Sequence, residues 1–220
     1  LGSTYNIKKI NYKVGSCKHS DISTFSLHPL KTITSGEGGI VTTNSKKLDN
    51  LIKKFRSLGI EKNPKKHWDY DVKLNGFNFR LNDFQCALGI NQLKNINSFL
   101  LERKKIYNKY IRELKNITQV STVNHEKKYQ SSHHLFIIHL KKSSQVTKEK
   151  FIKYMLKNKI ILQFHYIPIY KFKIFKGKYL NNQSEIYYKT AISLPIFVGL
   201  TPKEQKFIIK KINYFFNNNV

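Results

Sequence analysis

The sequence predicts a mixed α/β fold in two parts, and three observations support this. Two short β-prone runs flank a glycine-rich turn at residues 28–38, and an amphipathic helix follows them. Apolar residues then recur at helical spacing over residues 83–114, which indicates one long or kinked helix suited to bridging two domains. After Asn116 the pattern changes to short strands and amphipathic helices. We therefore expect one domain over residues 1–116 and a smaller one over residues 117–220.

The first domain opens with strands and continues into a capped helix. The predicted strands are residues 5–14 (as a pair or ribbon), 22–27 and 39–43. Ser45, after an asparagine, supplies an N-cap, and apolar residues at helical spacing follow up to Leu58, where Gly59 ends the helix. Residues 60–75 show no periodicity, which predicts a long exposed loop.

Capping patterns mark the starts of two later helices. Asn82 with Gln85 three positions on predicts the start of the bridging helix. Thr201, followed by a proline and then Glu204, predicts the start of the last helix. Between them, the predicted strands are residues 120–123, 135–140 and 160–164, and the predicted helix is residues 147–157.

The composition is that of a globular protein with a strong positive charge. Hydrophobic residues make up 40% and aromatic residues 13% of the 220, which excludes a disordered chain. The net charge of +27, from 40 Lys+Arg against 13 Asp+Glu, raises the hypothesis of a nucleic-acid or anionic-membrane surface. However, lysines dominate and are spread over the whole length, and arginine is scarce. We therefore interpret the charge as compositional and expect no nucleic acid and no membrane as partner, although the charge attracts anionic ligands.

Cysteine content and chain ends bear on the compartment. The two cysteines, Cys17 and Cys86, are far apart, so we expect reduced thiols in the cytoplasm and no disulfide.

No metal site is expected, because His133, His134 and His165 have no zinc-like spacing. No apolar run reaches the ~18 residues of a membrane helix. The chain starts without an initiator Met or a signal pattern, so we expect it to be truncated.

A single lysine, Lys31, stands in the glycine-rich turn. It follows Pro29 by two positions and precedes three glycines grouped around Glu37. The two strands on either side hold such a lysine on rigid elements, with room beside it for a bulky group. A lysine presented in this way serves as a nucleophilic amine rather than as a solvated charge.

Segments along the whole chain resemble the sugar aminotransferases of the DegT/DnrJ/EryC1/StrS family. The matching segments are Val14-Gly15-Ser16-Cys17-Lys18-His19-Ser20-Asp21, Phe25-Ser26, His28-Pro29, residues 76–85 (Gly-Phe-Asn-Phe-Arg-Leu-Asn-Asp-Phe-Gln), residues 165–168 and residues 193–197. The resemblance implies the fold of a fold-type-I, pyridoxal 5'-phosphate (PLP)-dependent transferase, which is aspartate aminotransferase-like. Residues 1–116 would then be the C-terminal part of its PLP-binding large domain, and residues 117–220 its small α+β domain.

The resemblance also implies roles for individual residues. Lys31 matches the catalytic lysine that holds PLP and moves protons, and Ser26 matches a serine that binds the cofactor phosphate. Asn78 matches an asparagine that reaches the phosphate in the neighbouring subunit, which implies a homodimer with composite active sites. Arg80 is an alternative anion contact, and His28 is a candidate substrate contact.

Within the family, the segments are most similar to the branch that serves pseudaminic acid biosynthesis. That branch transfers an amino group, typically from L-glutamate, to C4 of a UDP-linked 4-keto-6-deoxy sugar by a ping-pong reaction. The alternatives are another 4-amino-sugar aminotransferase, of the perosamine or aminoarabinose type, or a basic nucleic-acid-binding module whose affinity falls steeply with salt. A non-catalytic relative is a further alternative, which the retention of Lys31 opposes.

In the family, several cofactor contacts lie upstream of the position that matches Leu1. They are the aspartate that pairs with the pyridine nitrogen, the aromatic side chain that stacks on the ring, and the first phosphate-binding loop. The resemblance therefore implies that residues 1–220 alone are catalytically incompetent.

Overall fold

The computed structural model describes residues 1–66, 68–123, 128–141, 147–175 and 181–218. The strands are β1 (Thr4–Ile7), β2 (Ile10–Lys13), β3 (Ser23–Ser26), β4 (Gly39–Thr42), β5 (Ile60–Lys62), β6 (Tyr70–Val72), β7 (Val120–Thr122), β8 (Tyr129–Gln130), β9 (Phe136–Leu140) and β10 (Ala191–Leu194). The α-helices are α1 (Lys46–Arg56), α2 (Asp83–Lys94), α3 (Ile96–Leu114), α4 (Lys148–Lys157), α5 (Asn182–Thr190) and α6 (Pro202–Asn218). A 3₁₀ turn covers Ile169–Lys171.

The chain divides into two compact units, and the division falls inside α3. Unit 1 comprises Leu1–Phe99 and Lys127–Ser132, and unit 2 comprises Leu100–Glu126 and His133–Val220. The domain boundary expected near residue 116 stays a prediction about the two domains of the family, whereas the compact units separate earlier, within the helix.

Unit 1 is built from three small antiparallel sheets and two helices. The strand orders are β2-β1-β8, β3-β4 and β5-β6. The ribbon predicted near the N-terminus is confirmed as the hairpin β1–β2, in which Tyr5 pairs with Tyr12. The strands predicted on both sides of the glycine-rich turn are confirmed as β3 and β4, with Ser26 opposite Gly39. The predicted cap of α1 is also confirmed, because the Ser45 hydroxyl accepts the first-turn amide of the helix.

The exposed loop predicted over residues 60–75 is partly wrong, because β5 and β6 pair there. The two strands are antiparallel, with Ile60 opposite Val72. Each has three residues, and none of these side chains is buried. Strands this short and this exposed give no apolar alternation for a sequence reading to detect.

The long helix predicted over residues 83–114 is two helices. The predicted capping box is confirmed, since Asn82 Oδ1 accepts the Gln85 amide at 2.9 Å and the Asn82 amide donates to Gln85 Oε1 at 3.2 Å. α2 ends at Lys94, and the next residue, the C-cap Asn95, donates its amide to Gln92 O at 3.1 Å. The Asn95 side chain also donates to a backbone carbonyl one turn earlier, and such local bonds compete with helix continuation.

Unit 2 forms a three-stranded antiparallel sheet packed with helices. The strand order is β10-β9-β7. The strands predicted at residues 120–123 and 135–140 and the helix predicted over residues 147–157 are confirmed as β7, β9 and α4. α5 and β10 were not predicted, because β10 is a run of four residues, all buried, without polar alternation.

The strand predicted over residues 160–164 is wrong. Ile160 and Leu162 are buried and Ile161 between them is exposed, yet the backbone of the segment pairs at a single bridge, between Gln163 and Ser193. The start predicted for the last helix is confirmed. The Thr201 hydroxyl accepts the Glu204 amide at 3.2 Å at the start of α6.

The two units differ in how many side chains they bury. In unit 2, 21 buried apolar side chains from α3, β7, β9, α4, β10, α6 and the intervening segments form one core. Among the described residues of unit 1, the buried ones are Leu27, Thr32, Ile33, Ser35, Gly59 and Ser132. Four of these six lie between β3 and β4, in the segment that carries Lys31.

Candidate functional site

The site residue with the most specific sequence pattern, Lys31, lies in the loop of residues 27–38, called here the Lys31 loop. The β3–β4 ladder continues into its base, because the Leu27 amide donates to Gly38 O at 2.9 Å. The Ser35 amide then donates back to Leu27 O at 3.1 Å, and the Thr34 hydroxyl donates to the same oxygen at 2.9 Å. These bonds tie both ends of the loop together.

A tight turn sets the direction of Lys31. The Lys31 amide donates to His28 O at 2.9 Å, which closes a four-residue turn with Pro29 at its second position. The Leu30 amide donates to His28 Nδ1 at 3.2 Å, so the imidazole also holds the turn. Proline has a fixed φ that suits this position, so the sequence itself specifies the turn.

Buried neighbours hold the Lys31 loop while the lysine itself stays half-buried. Leu27 is 3% exposed, Ile33 2% and Ser35 1%. Lys31 is intermediate in burial. Within the described part of the chain, its amine has no hydrogen bond or ion pair. The loop therefore presents an amine on a fixed backbone, and no described residue neutralises or occupies it.

Ser26 and His28 stand beside this turn. Ser26 is the last residue of β3, is exposed, and its Oγ accepts the His28 amide at 3.3 Å. Among the described residues, the Ser26 hydroxyl proton has no acceptor, so it can donate to an anion. His28 Nε2 lies 3.8 Å from Glu37 Oε1, and this exposed pair attracts only when the histidine is protonated.

Two glycines set the backbone conformation of the Lys31 loop just before β4. Gly36 and Gly38 have φ of +82° and +144°, a region that side chains disfavour. A Cβ on Gly38 would also lie 2.6 Å from Leu81 Cδ2 and 2.8 Å from Ser35 Oγ. The chain after residue 80 therefore packs closely on the loop.

Gln85 is a supporting residue that sequence reasoning missed in this role. Its Nε2 donates to Glu37 O at 3.2 Å, and the Ser35 hydroxyl donates to the same oxygen at 2.8 Å. The Glu37 carbonyl is thus an anchor of the loop, while its side chain is exposed. The capping pattern predicted Gln85 as the start of α2, but sequence spacing does not reveal that the same side chain reaches residue 37.

Asn78 and Arg80 lie on a different segment, and both are exposed. This segment is bonded to the end of α1, where the Leu58 amide donates to Phe77 O at 3.0 Å. The rings of Phe77 and Phe79, on either side of Asn78, stack with centroids 4.9 Å apart. Among the described residues, neither Asn78 nor Arg80 is bonded to the Lys31 loop. Hydrogen bonds connect Ser26, His28 and Lys31 within one loop.

The described residues also bear on metal binding and on membrane insertion. No group of three or more His, Cys, Asp or Glu side chains there is arranged to hold a metal ion. None of the helices in the described ranges is long and apolar enough to cross a membrane.

Curated relatives share the sequence over nearly the whole chain. A UDP-4-amino-4,6-dideoxy-N-acetyl-beta-L-altrosamine transaminase of Campylobacter jejuni subsp. jejuni serotype O:23/36 (strain 81-176) is 39% identical over 94% of this chain and 54% of its own length. A transaminase of the same name from Helicobacter pylori (strain ATCC 700392 / 26695) is 34% identical over 91% of this chain and 52% of its own length. The chain spans about half the length of the curated relatives it matches.

Solved structures share the fold. Helicobacter pylori PseC, an aminotransferase involved in the biosynthesis of pseudoaminic acid, has a TM-score of 0.85 and 31% identity, over 90% of this chain and 54% of its own. The PLP-form of the putative sugar aminotransferase Spr1654 from Streptococcus pneumoniae has a TM-score of 0.86 and 22% identity, over 100% of this chain and 56% of its own. The fold-type-I class predicted from the sequence is confirmed.

The family model of the DegT/DnrJ/EryC1/StrS aminotransferases matches residues 1–213, which includes the Lys31 loop and every candidate site residue. With that match, and with relatives more than 30% identical over nine-tenths of the chain, the resemblance noted from the sequence is confirmed. The chain belongs to the DegT/DnrJ/EryC1/StrS aminotransferase family.

Proposed function

We propose that the protein to which this chain belongs is a PLP-dependent sugar-nucleotide aminotransferase. Its substrate is a UDP-linked 4-keto-6-deoxy-N-acetyl-hexosamine, its amino donor is L-glutamate, and its product enters pseudaminic acid or related cell-surface sugar biosynthesis. The observation that carries the proposal is Lys31, a half-buried amine without a described partner, on a loop fixed by hydrogen bonds, in a member of this family. The names of the Campylobacter and Helicobacter relatives support the substrate class.

The residues present fit PLP as cofactor. PLP carries an aldehyde and a phosphate, and the Lys31 loop offers an amine and, from Ser26, a hydroxyl proton without an acceptor among the described residues. When bound, PLP supplies an electron sink for the carbon that loses and gains a proton. Lys31 would hold the cofactor through its amine and would move that proton, and Ser26 would donate to the cofactor phosphate.

The fixed backbone of the Lys31 loop suits Lys31 to both proposed tasks, which are holding PLP and transferring a proton. An amine that must act as a covalent anchor and then as a base has to stay within hydrogen-bond reach of the reacting carbon. The bonds that close the loop on Leu27, and the burial of Ile33 two positions after Lys31, hold the backbone in place. His28, which braces the turn through Nδ1, is a candidate substrate contact through its other nitrogen.

Asn78 and Arg80 are proposed to contribute to the active site of a second subunit. Both are exposed and, among the described residues, not bonded to the Lys31 loop, and backbone hydrogen bonds join their segment to the end of α1. In a two-fold dimer with composite active sites, Asn78 of one subunit binds the cofactor phosphate of the other, and Arg80 is the alternative anion contact. The partners are thus a nucleotide sugar, L-glutamate and a second copy, in the cytoplasm.

The whole protein, and not residues 1–220 alone, carries the proposed activity. The chain matches about half the length of its relatives. The resemblance places the carboxylate that pairs with the pyridine nitrogen outside the matched segments. Without such a carboxylate the ring nitrogen is not held protonated, and the electron sink is weak. Turnover of a UDP-4-keto sugar by residues 1–220 alone would contradict this part of the proposal.

Borohydride trapping tests the cofactor and the lysine together. The natural-length protein is incubated with one equivalent of PLP, reduced, digested and mapped by mass spectrometry. We expect the phosphopyridoxyl group on the peptide that contains Lys31, and its loss in Lys31→Arg. The matched control Lys18→Arg changes a lysine outside the loop and should label like the unsubstituted protein. An unmodified Lys31 in a folded protein would overturn the proposal.

A further inference from the structure

His28 contacts the turn under Lys31 through both its backbone and its ring. Its carbonyl accepts the Lys31 amide at 2.9 Å, and its amide donates to Ser26 Oγ at 3.3 Å. Its ring nitrogen Nδ1 accepts the Leu30 amide at 3.2 Å. The turn therefore depends on His28 at three atoms, and Nδ1 is the one whose ability to accept a hydrogen bond changes with protonation.

The bond at Nδ1 specifies which ring nitrogen of neutral His28 carries the proton. A neutral imidazole has one N–H donor and one unprotonated acceptor, so an Nδ1 that accepts the Leu30 amide leaves the proton on Nε2. Nε2 lies 3.8 Å from Glu37 Oε1, so the nitrogen near the carboxylate is the one that carries the proton. The other tautomer would place an N–H against the Leu30 amide and a lone pair near the carboxylate. The surroundings of both ring nitrogens therefore favour the same tautomer.

The Glu37 carboxylate lies near His28 because the Glu37 backbone is held in place. Glu37 O accepts the Ser35 hydroxyl at 2.8 Å and Gln85 Nε2 at 3.2 Å. The side chains of Glu37 and His28 are 73% and 45% exposed, which makes an ion pair between them weak. The bond from the Leu30 amide is therefore the contact that orients the ring.

We propose that His28 is a positioning residue for Lys31 and that it acts only in its neutral form, with the proton on Nε2. Protonation adds a hydrogen to Nδ1, which then cannot accept the Leu30 amide, and two N–H groups face each other. The turn that carries Lys31 should loosen as the pH falls from about 8 to about 5, the range in which histidine gains its charge. This inference rests on the proposed function and deepens it, because it concerns the residue that fixes the amine for PLP.

The charged groups around His28 leave its ring as the titrating group of the turn. β3 and β4, on either side of the loop, carry no ionisable side chain. The segment that packs on the loop, from residue 80 into α2, carries Arg80 and Asp83, and neither forms an ion pair with His28 among the described residues. The Glu37 carboxylate favours the charged ring, and the Lys31 ammonium disfavours it. Of these side-chain types, only histidine ordinarily changes its charge between about pH 5 and pH 8.

NMR of the natural-length protein labelled with nitrogen-15 tests the tautomer and its consequence together. The imidazole spectrum distinguishes a protonated from an unprotonated ring nitrogen, and the His28 signals are those missing from His28→Asn. We expect an unprotonated Nδ1 and a protonated Nε2 at pH 8. At pH 5.5 the hydrogen-exchange protection of the Leu30 amide, corrected for the intrinsic pH dependence of exchange, should be lower by about fivefold, the equivalent of one hydrogen bond.

Substitutions separate the acceptor at Nδ1 from the titration of the ring. An asparagine oxygen can accept the amide two positions on, so His28→Asn should keep the turn and make the protection of the Leu30 amide independent of pH. His28→Phe keeps a planar ring without an acceptor and should lower this protection at pH 8 by about fivefold. The matched control is His19→Asn, at an exposed histidine outside the loop, which should behave like the unsubstituted protein.

Timed labelling with PLP measures the consequence for Lys31. The natural-length protein is incubated at pH 8 with one equivalent of PLP and reduced with borohydride at intervals, and the peptide that contains Lys31 is quantified. The initial rate should fall by about fivefold in His28→Phe and return to within about twofold of the unsubstituted protein in His28→Asn.

Three results would overturn the inference. The first is a neutral His28 ring with its proton on Nδ1, and the second is a protection of the Leu30 amide that is the same at pH 8 and pH 5.5. The third is a rate of Lys31 labelling in His28→Phe equal to that of the unsubstituted protein. An unlabelled Lys31 in the unsubstituted protein would instead overturn the proposed function, while the ring spectrum and the Leu30 amide would still decide this inference.

Discussion

Units 1 and 2 are of similar length but are held together in different ways. Unit 2 closes a single core of 21 buried apolar side chains around a three-stranded sheet. Unit 1 has two large apolar side chains, Leu27 and Ile33, among its buried described residues. The candidate catalytic lysine belongs to the unit with the smaller core. Its position is fixed locally, by the hydrogen bonds and the few buried side chains of the Lys31 loop itself.

This difference separates the loop that positions the candidate lysine from the core that contributes most of the buried apolar surface. The backbone of the Lys31 loop is anchored at residues 27, 35 and 38 by bonds of 2.9 and 3.1 Å. Most other apolar side chains of unit 1 remain available to contact further polypeptide. Unit 2, in contrast, has an extended buried core among its described residues and is the part that we expect to fold most cooperatively.

The largest expected effect is on the free energy of unfolding, when a phenylalanine is replaced by alanine in unit 2 rather than in unit 1. Phe151 of α4 is 0% exposed and packs on Phe215 and Phe216 with ring centroids 5.1 and 5.2 Å away. Phe151→Ala should cost about 3–5 kcal/mol in the free energy of unfolding of residues 1–220, because it leaves a cavity. Phe84→Ala, at an exposed site of α2, should change it by less than about 0.5 kcal/mol. Urea titrations of the two variants measure both values, and equal losses would contradict the contrast between the units.

The second effect concerns the small buried patch of unit 1. Ile33 is 2% exposed, so Ile33→Ala should destabilise the Lys31 loop by about 2 kcal/mol or more. The loss should appear as weaker borohydride trapping of PLP on Lys31 in the natural-length protein. Val41→Ala on β4, where the side chain is 46% exposed, is the matched control and should leave trapping unchanged. Trapping that resists Ile33→Ala would show that the loop is held without this side chain.

Hydrogen exchange should show, segment by segment, the difference between the buried core of unit 2 and the small buried patch of unit 1. The slowest amides should be those of Ile138 and Ile192, which pair across β9 and β10 in the core of unit 2. In unit 1, the amides of Leu27 and Ser35 should exchange more slowly than those of α2, since they close the Lys31 loop around buried side chains. Mass spectrometry of peptic fragments of residues 1–220 measures this order. Protection of α2 equal to that of β9 would mean that unit 1 has a core of its own.

Sequence reasoning predicted the elements that carry local chemistry and missed those set by distant contacts. The Ser45 cap and the Asn82 capping box were predicted because each depends on residues within three positions. The sequence predicted one long or kinked helix over residues 83–114, but not the position of the break at Asn95, because apolar spacing continues through it. β5 and β6 were missed because their side chains are exposed.

In the candidate site, too, features set by neighbouring residues could be predicted, and contacts between residues far apart in the sequence could not. Lys31 and the two glycines of its loop stand out in the sequence because a turn between strands restricts residue type at each position. The anchoring of the Glu37 carbonyl by Gln85, 48 positions away, leaves no local trace. The role of Asn78 in a neighbouring subunit could be inferred only from family resemblance.

The smallest expected effect is a pH dependence confined to unit 2. Burial lowers the pKa of His139, on β9, below its usual 6.5, and its Nδ1 lies 3.1 Å from Thr190 Oγ1 and its ring packs edge-on against Tyr187. The unfolded chain therefore binds a proton at a higher pH than the folded chain does. The stability that neutral His139 contributes is present above pH 6.5 and is lost as the pH falls through the lower folded value. The urea midpoint of residues 1–220 should fall between pH 7.5 and pH 5.5, and by less in His139→Gln. An identical pH dependence in both proteins would assign the titration to other groups.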